Sequence, residues 1–125
     1  MLDRQTVQPP VIRNRENVEH YRWGDGCDGW RLLAGDDLGV IQERMPPGTR
    51  EVLHHHRRAR QLFYVLAGRL RVTIESAAFD LAAGDALEVP PGRRHQVHNV
   101  TDADAVFLVI SSPATSGDRV ESSET

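Results

Sequence analysis

From Tyr21 to Ile110 the chain alternates short apolar runs with turn signals, spaced about eight to twelve residues apart. LGVIQERM, EVLHHH, QLFYVLA, LRVTI, ALEVP, HQVHNV and AVFLVI are strand-length, and PPG, AGR, AAGD, PPGRR and TDAD cut between or beside them. In LRVTI, Leu70, Val72 and Ile74 alternate with Arg71 and Thr73, the two-residue period of a half-buried strand. QLFYVL and AVFLVI are apolar on both faces, which predicts strands buried between layers. No helical periodicity persists along the chain. The pattern predicts an all-β sandwich or barrel over residues 19–112. Residues 1–18 carry two prolines and scattered charges and read as an extended arm, and the Ser/Thr-rich residues 113–125 read as a polar flexible tail.

Composition narrows the function classes. A chain of 125 residues with 39% hydrophobic content suits one domain with its own core. A net charge of −3 exerts no global pull toward nucleic acid or an anionic membrane, and no apolar run reaches the roughly 20 residues of a membrane span. The N-terminus shows no apolar signal region and Cys27 is the lone cysteine, so no intrachain disulfide forms and a cytoplasmic location is expected. All 15 basic residues are arginine, which excludes a lysine Schiff base and a P-loop.

The chemistry concentrates in LHHHRRARQ, beginning at Leu53. On an extended strand, His54 and His56 face one way and His55 the other. Imidazoles at i and i+2 can converge on one ion at about 2.0–2.1 Å, whereas adjacent ones cannot. Gln61 opens the next apolar strand. Farther on, Pro91-Gly92 suits a type II turn that delivers His95 into a strand, where His95, Val97 and Asn99 share a face.

These residues resemble the two motifs of the cupin superfamily. Gly48, His54, His56 and Gly68 match every spacing of the first, with Gln61 where that motif carries an acidic ligand; Gly84, Pro90, Gly92, His95 and Asn99 match the second. The resemblance implies a double-stranded β-helix, the jelly-roll or cupin barrel, with a divalent transition metal (Zn, Ni, Mn, Fe or Cu) held by His54, His56, Gln61 and His95. Gln61 departs from the family pattern. A neutral amide oxygen donates more weakly than a carboxylate, and an ion held by neutral ligands keeps its full charge as a Lewis acid. The departure also argues against the two-histidine, one-carboxylate iron pattern.

Around the ligands, alternation places Phe63 and Val65 on the face of Gln61, and Val97 and Asn99 on that of His95, as expected pocket lining. Glu43, the candidate acid or base, and Gln42 lie on opposite faces of one strand, and the sequence leaves open which points inward. Arg57, Arg58 and Arg60 read either as a solvated turn or as a positive rim steering anions to the mouth. WGDGCDGW contains a formal GxGxxG, but Gly35-Asp36-Asp37 interrupts any helix after it, so a tight loop between strands is expected, with Cys27 a plain thiol. His20, His55 and His98 read as surface or supporting residues.

Two functional readings follow. In the first, the chain is a metal-dependent enzyme such as an oxygenase, isomerase or cyclase, with the ion acting as a Lewis acid or oxygen-activating centre on a small organic molecule. In the alternative it is a non-catalytic binding or sensor module for such a molecule. A purely structural barrel without metal is the third possibility. Exposed sheet edges and strands apolar on both faces lead to an expected homodimer, in part by analogy with single-domain cupins. Neither nucleic acid nor membrane is expected as a partner.

Overall fold

The structure, a computed structural model, describes residues 9–122. Eleven strands appear, β1 (His20–Trp23), β2 (Cys27–Ala34), β3 (Gly39–Met45), β4 (His54–His56), β5 (Arg60–Ala67), β6 (Arg69–Ile74), β7 (Ala77–Ala82), β8 (Ala86–Val89), β9 (His95–His98), β10 (Ala105–Ser112) and β11 (Arg119–Glu121). They form two antiparallel sheets, ordered β1-β2-β3-β10-β5-β8 and β11-β4-β9-β6-β7. No helix is long and apolar enough to cross a membrane among the described residues. The all-β expectation therefore holds, with the double-stranded β-helix arrangement.

The interior changes character along each strand. On β5 the inward residues run Gln61, Phe63, Val65, and on β9 they run His95, Val97, all buried. Phe107, Met45, Leu70, Val72 and Val65 close one end as an apolar plug. The histidines and Gln61 lie toward the other end. Burying the plug drives the sheets together, and the same contacts hold the polar end open as a pocket with fixed walls.

Two glycines show where the backbone needs the absence of a side chain. Gly68 turns β5 into β6 at φ 76°, and a Cβ there would strike the carbonyl of Asp104. Gly29 lies in the register row Tyr21–Gly29–Glu43 across β1, β2 and β3, and a Cβ there would come within 2.6 Å of the Tyr21 hydroxyl. The Tyr21 ring crosses the sheet over that bare backbone.

Several expectations need correction. Residues 113–122 are not a flexible tail: β11 pairs with β4, and the buried Asp118 accepts hydrogen bonds from the backbone N–H groups of Arg58 and Ala59 at 3.0 and 2.9 Å. Residues 123–125 of that tail and 1–8 of the arm lie outside the described residues. EVLHHH is regular strand only over its histidines, because the Pro46-Pro47-Gly48 turn feeds residues 49–53 against β9 irregularly. The tight loop expected in WGDGCDGW is present as the hairpin turn of residues 24–26 between β1 and β2, with Gly24 and Gly26 at positive φ, although Cys27 to Trp30 already belong to β2. Among the described residues no second layer covers the outer face of β5, where Tyr64 and Leu66 are exposed.

Candidate metal centre and its pocket

His54 and His95 are direct register partners on β4 and β9. Strand alternation adds His56 to the same face and turns His55 away, beside Val120 of β11. One ligand nitrogen from each of His54, His56 and His95 lies within 4.8 Å of the other two. All three rings are buried, and the His54 and His95 centroids are 4.3 Å apart.

Hydrogen bonds select the free nitrogens on two of the rings. His54 Nδ1 donates to the Val52 carbonyl at 2.8 Å and His95 Nδ1 to the Arg93 carbonyl at 3.0 Å. Each Nε2 therefore keeps its lone pair, and that of His95 is buried without a partner. His56 Nδ1 is likewise buried and unpartnered. Burial, reinforced by the neighbouring His95, pushes the pKa of His54 down to about 3 and that of His56 to about 4. Burial lowers His95 as well. Three neutral imidazoles are the protonation state that metal ligation requires.

Gln61 faces the cavity of His54 and His56 from the opposite sheet. Its Nε2 donates to Ser111 Oγ at 3.0 Å, its register partner on β10. Its Oε1 is left buried with no hydrogen-bond partner, and the residue lines the same cavity as His54 and His56. Unmade bonds on buried polar atoms cost about 1–3 kcal/mol each, so several around one cavity need a common explanation. The donor set of imidazole nitrogens and an amide oxygen fits a divalent transition metal.

The cavity has a volume of about 190 Å³, below the roughly 300–1,000 Å³ of drug-sized sites. Beside His54, His56 and Gln61 its lining includes Tyr21, Arg31, Glu43, Glu51, Phe63 and Arg119. Glu43, rather than Gln42, faces inward, and the Tyr21 hydroxyl donates to its Oε2 at 3.3 Å. Burial raises Glu43 to about 7, with the Tyr21 bond opposing that rise, and raises Glu51 to about 8, with Glu43 adding to it. Glu51 Oε1 accepts the Val97 backbone N–H at 3.1 Å. An adjoining cleft of about 330 Å³ shares Tyr21, Glu43, Glu51 and Arg119 and continues past Trp23 and Val52.

Of the four expected pocket-lining residues, Phe63 lies on the wall. Val65 and Val97 are closed inside the apolar plug. Asn99 is a loop latch: its Nδ2 donates to the Met45 and Ala103 carbonyls, and its Oδ1 accepts from the Thr101 N–H and hydroxyl. Alternation identifies the face of a strand but not the depth along it. The arginines at the mouth are Arg31 and Arg119, not the Arg57, Arg58 and Arg60 group. Arg58 and Arg60 instead lie near Asp118 and Glu88, at 3.9 and 3.7 Å. Sequence reasoning missed Tyr21, Glu51, Arg31, Ser111 and Arg119; the two-residue step from Tyr21 to Trp23 in HYRW was the one signal available for Tyr21.

Comparison with known proteins agrees with the fold. The cupin domain family matches residues 41–111, more than half of the chain. MJ1618, an uncharacterized protein of Methanocaldococcus jannaschii, is 29% identical over 90 residues, covering 72% of each chain. The structure of KdgF from Halomonas sp. superposes with a TM-score of 0.77 at 20% identity, over 86% of this chain and 98% of that one. A sugar phosphate isomerase of the cupin superfamily, SPO2919 from Silicibacter pomeroyi, superposes with a TM-score of 0.72 at 26% identity, over 83% of this chain and 76% of that one.

Proposed function

The chain belongs to the cupin family, and from that premise we propose that it is a metal-dependent enzyme moving a proton on a small oxygenated carbon compound. His54, His56, His95 and Gln61 would hold a divalent transition metal. When bound, that ion supplies Lewis acidity toward a carbonyl or hydroxyl oxygen. One observation carries the reading: Glu43, hydrogen-bonded to Tyr21, opens into the same small cavity as His54 and His56, two of the three clustered imidazoles.

Glu43 is the acid–base residue in this reading. A carboxyl with a pKa near neutrality takes up and returns a proton with little bias. Tyr21 orients its carboxylate from one side, and Gly29 leaves the room for Tyr21 to do so. Phe63, buried against His95, keeps bulk water from the inner wall. Glu51 is held by a backbone N–H and supplies a second buried carboxyl at the boundary between cavity and cleft. The likeness to a sugar phosphate isomerase at 26% identity supports an isomerase-type proton transfer over an oxygenase.

The test loads metal-free protein separately with Zn, Ni, Mn, Fe and Cu and incubates each form with small hydroxyketones and hydroxyaldehydes in D₂O. Metal-dependent incorporation of deuterium next to the carbonyl, lost in Glu43→Gln, is the expected result. Binding without exchange in every form would instead make the chain a binding module.

A further inference from the structure

The pocket mouth carries a guanidinium, that of Arg119, with which neither carboxylate of the inner cavity forms a direct ion pair among the described residues. Arg119 begins β11, and its register partner on β4 is His56. Directly paired residues of neighbouring strands share a face of the sheet, so Arg119 projects to the side on which His56 lies. It lines both the inner cavity and the adjoining cleft. Among the described residues its one ion pair is to Glu121, Nε to Oε2 at 3.5 Å, with the two side chains 39% and 61% exposed. Exposed pairs of that kind contribute little and are readily exchanged. Glu43 and Glu51 line the same cavity, yet neither forms an ion pair with Arg119 among the described residues.

Arg31 enters the cavity from the other sheet, but it is already engaged. Its Nε lies 3.0 Å from Glu19 Oε1, and its guanidinium sits 4.5 Å from the centroid of the Tyr21 ring. Arg50 lines the adjoining cleft and not the inner cavity. Both arginines of the inner cavity have exposed ion pairs, but Arg31 is also held over the Tyr21 ring, so Arg119 is the freer of these two. Its strand is also anchored on both sides. Asp118 binds the backbone N–H groups of Arg58 and Ala59, and the Ser122 N–H donates to the Leu53 carbonyl at 2.8 Å.

We propose that Arg119 is the anion-binding residue of this pocket, and that the substrate is a small oxygenated compound carrying an oxyanionic tail, a carboxylate or a phosphate. The inference rests on the histidine cluster being the reacting end. The substrate's neutral oxygens then face the imidazoles and Gln61, while its tail lies toward the mouth, where the planar guanidinium fork accepts two oxygens of one oxyanion. The cleft beyond, lined by Trp23 and Val52, leaves space for a tail larger than the inner cavity admits.

Calorimetric titration tests this on both metal-free and metal-loaded full-length protein. The probes are glycerol 3-phosphate and glycerate, which separate phosphate from carboxylate, with glycerol as the uncharged control. Arg119→Gln is expected to weaken the anion that wild type binds by roughly 10- to 100-fold. Metal stoichiometry should stay intact, and Arg119→Lys should fall between the two. Arg31→Gln should weaken the anion less than Arg119→Gln. Equal anion affinity in wild type and a folded Arg119→Gln, or no anion binding by wild type, overturns the proposal. If Arg119→Gln does not fold, Arg119→Lys decides, and wild-type affinity in that variant overturns it. Failure of the metal to bind sinks the metal-centre reading separately, because the metal-free titration still reports on Arg119.

Discussion

Tyr21 on β1 reaches Glu43 on β3 across the one strand between them: its hydroxyl donates to Glu43 Oε2 at 3.3 Å, over the bare backbone of Gly29 on β2. Gly29→Ala puts a methyl group where the ring now lies. Overpacking of this kind costs about 1–3 kcal/mol, read as a lower urea midpoint. Tyr21→Phe removes only the hydrogen bond, at about 0.5–1.5 kcal/mol. Because that bond favours the carboxylate, Glu43 should titrate above about 7 in Tyr21→Phe. Carbon NMR of the Glu43 carboxyl checks the direction, and an unchanged titration would mean the bond is not made in solution.

His54→Ala, His56→Ala and His95→Ala should each lose stoichiometric metal, while His55→Ala keeps it. The first three point into one cluster and the fourth to the other face of β4. Elemental analysis of untagged protein gives the readout. Metal loss in His55→Ala with retention in His56→Ala would contradict the register.

Gln61→Glu should bind a divalent ion more tightly than wild type, by at least roughly tenfold, because a charged oxygen replaces a neutral one in a pocket shielded from water. The Ser111 hydroxyl, which now accepts from Gln61, can rotate to donate to the carboxylate. Equal affinities in a competition assay would place residue 61 outside the ligand set.

Acid should unfold the protein in part through Asp28 and Asp118. Burial pushes both carboxyls up, but hydrogen bonds outweigh it: His20 and Arg44 hold Asp28 below its usual value, and the Ala59 and Arg58 N–H groups hold Asp118 below its own. A carboxyl depressed in the fold stabilises it above its unfolded pKa of about 3.9, and that contribution fades as pH falls through the lower folded value. Asp28→Asn and Asp118→Asn should lower stability at neutral pH and flatten its decline below about pH 4. A decline as steep as in wild type would remove these two groups from the acid transition.

A homodimer is expected, with the outer face of β5, where Tyr64 and Leu66 are exposed, as its proposed contact. Sedimentation at micromolar concentration should give twice the 14.0 kDa chain mass, and Leu66→Glu should shift it to monomer. A wild-type protein running at the single-chain mass would end this proposal.

The amino-acid sequence alone determined what depends on local period and spacing. Two-residue alternation separated His54 and His56 from His55. The turn signals marked most strands, and the spacing from Gly48 to Asn99 pointed to the family that the chain matches. Depth, register and end contacts belonged to the tertiary structure. Glu43 and Gln42 are equivalent by alternation, and pairing with β2 and β10 decided which faces the pocket. Val97 and Asn99 follow His95 on its face, yet the apolar plug closes over one and a loop takes the other. RVE is too short to show a period; it is a strand because Asp118 ties the segment to residues 58 and 59, far away in sequence. Local chemistry decides which side chains share a face, but only long-range pairing decides where that face points and what it meets there.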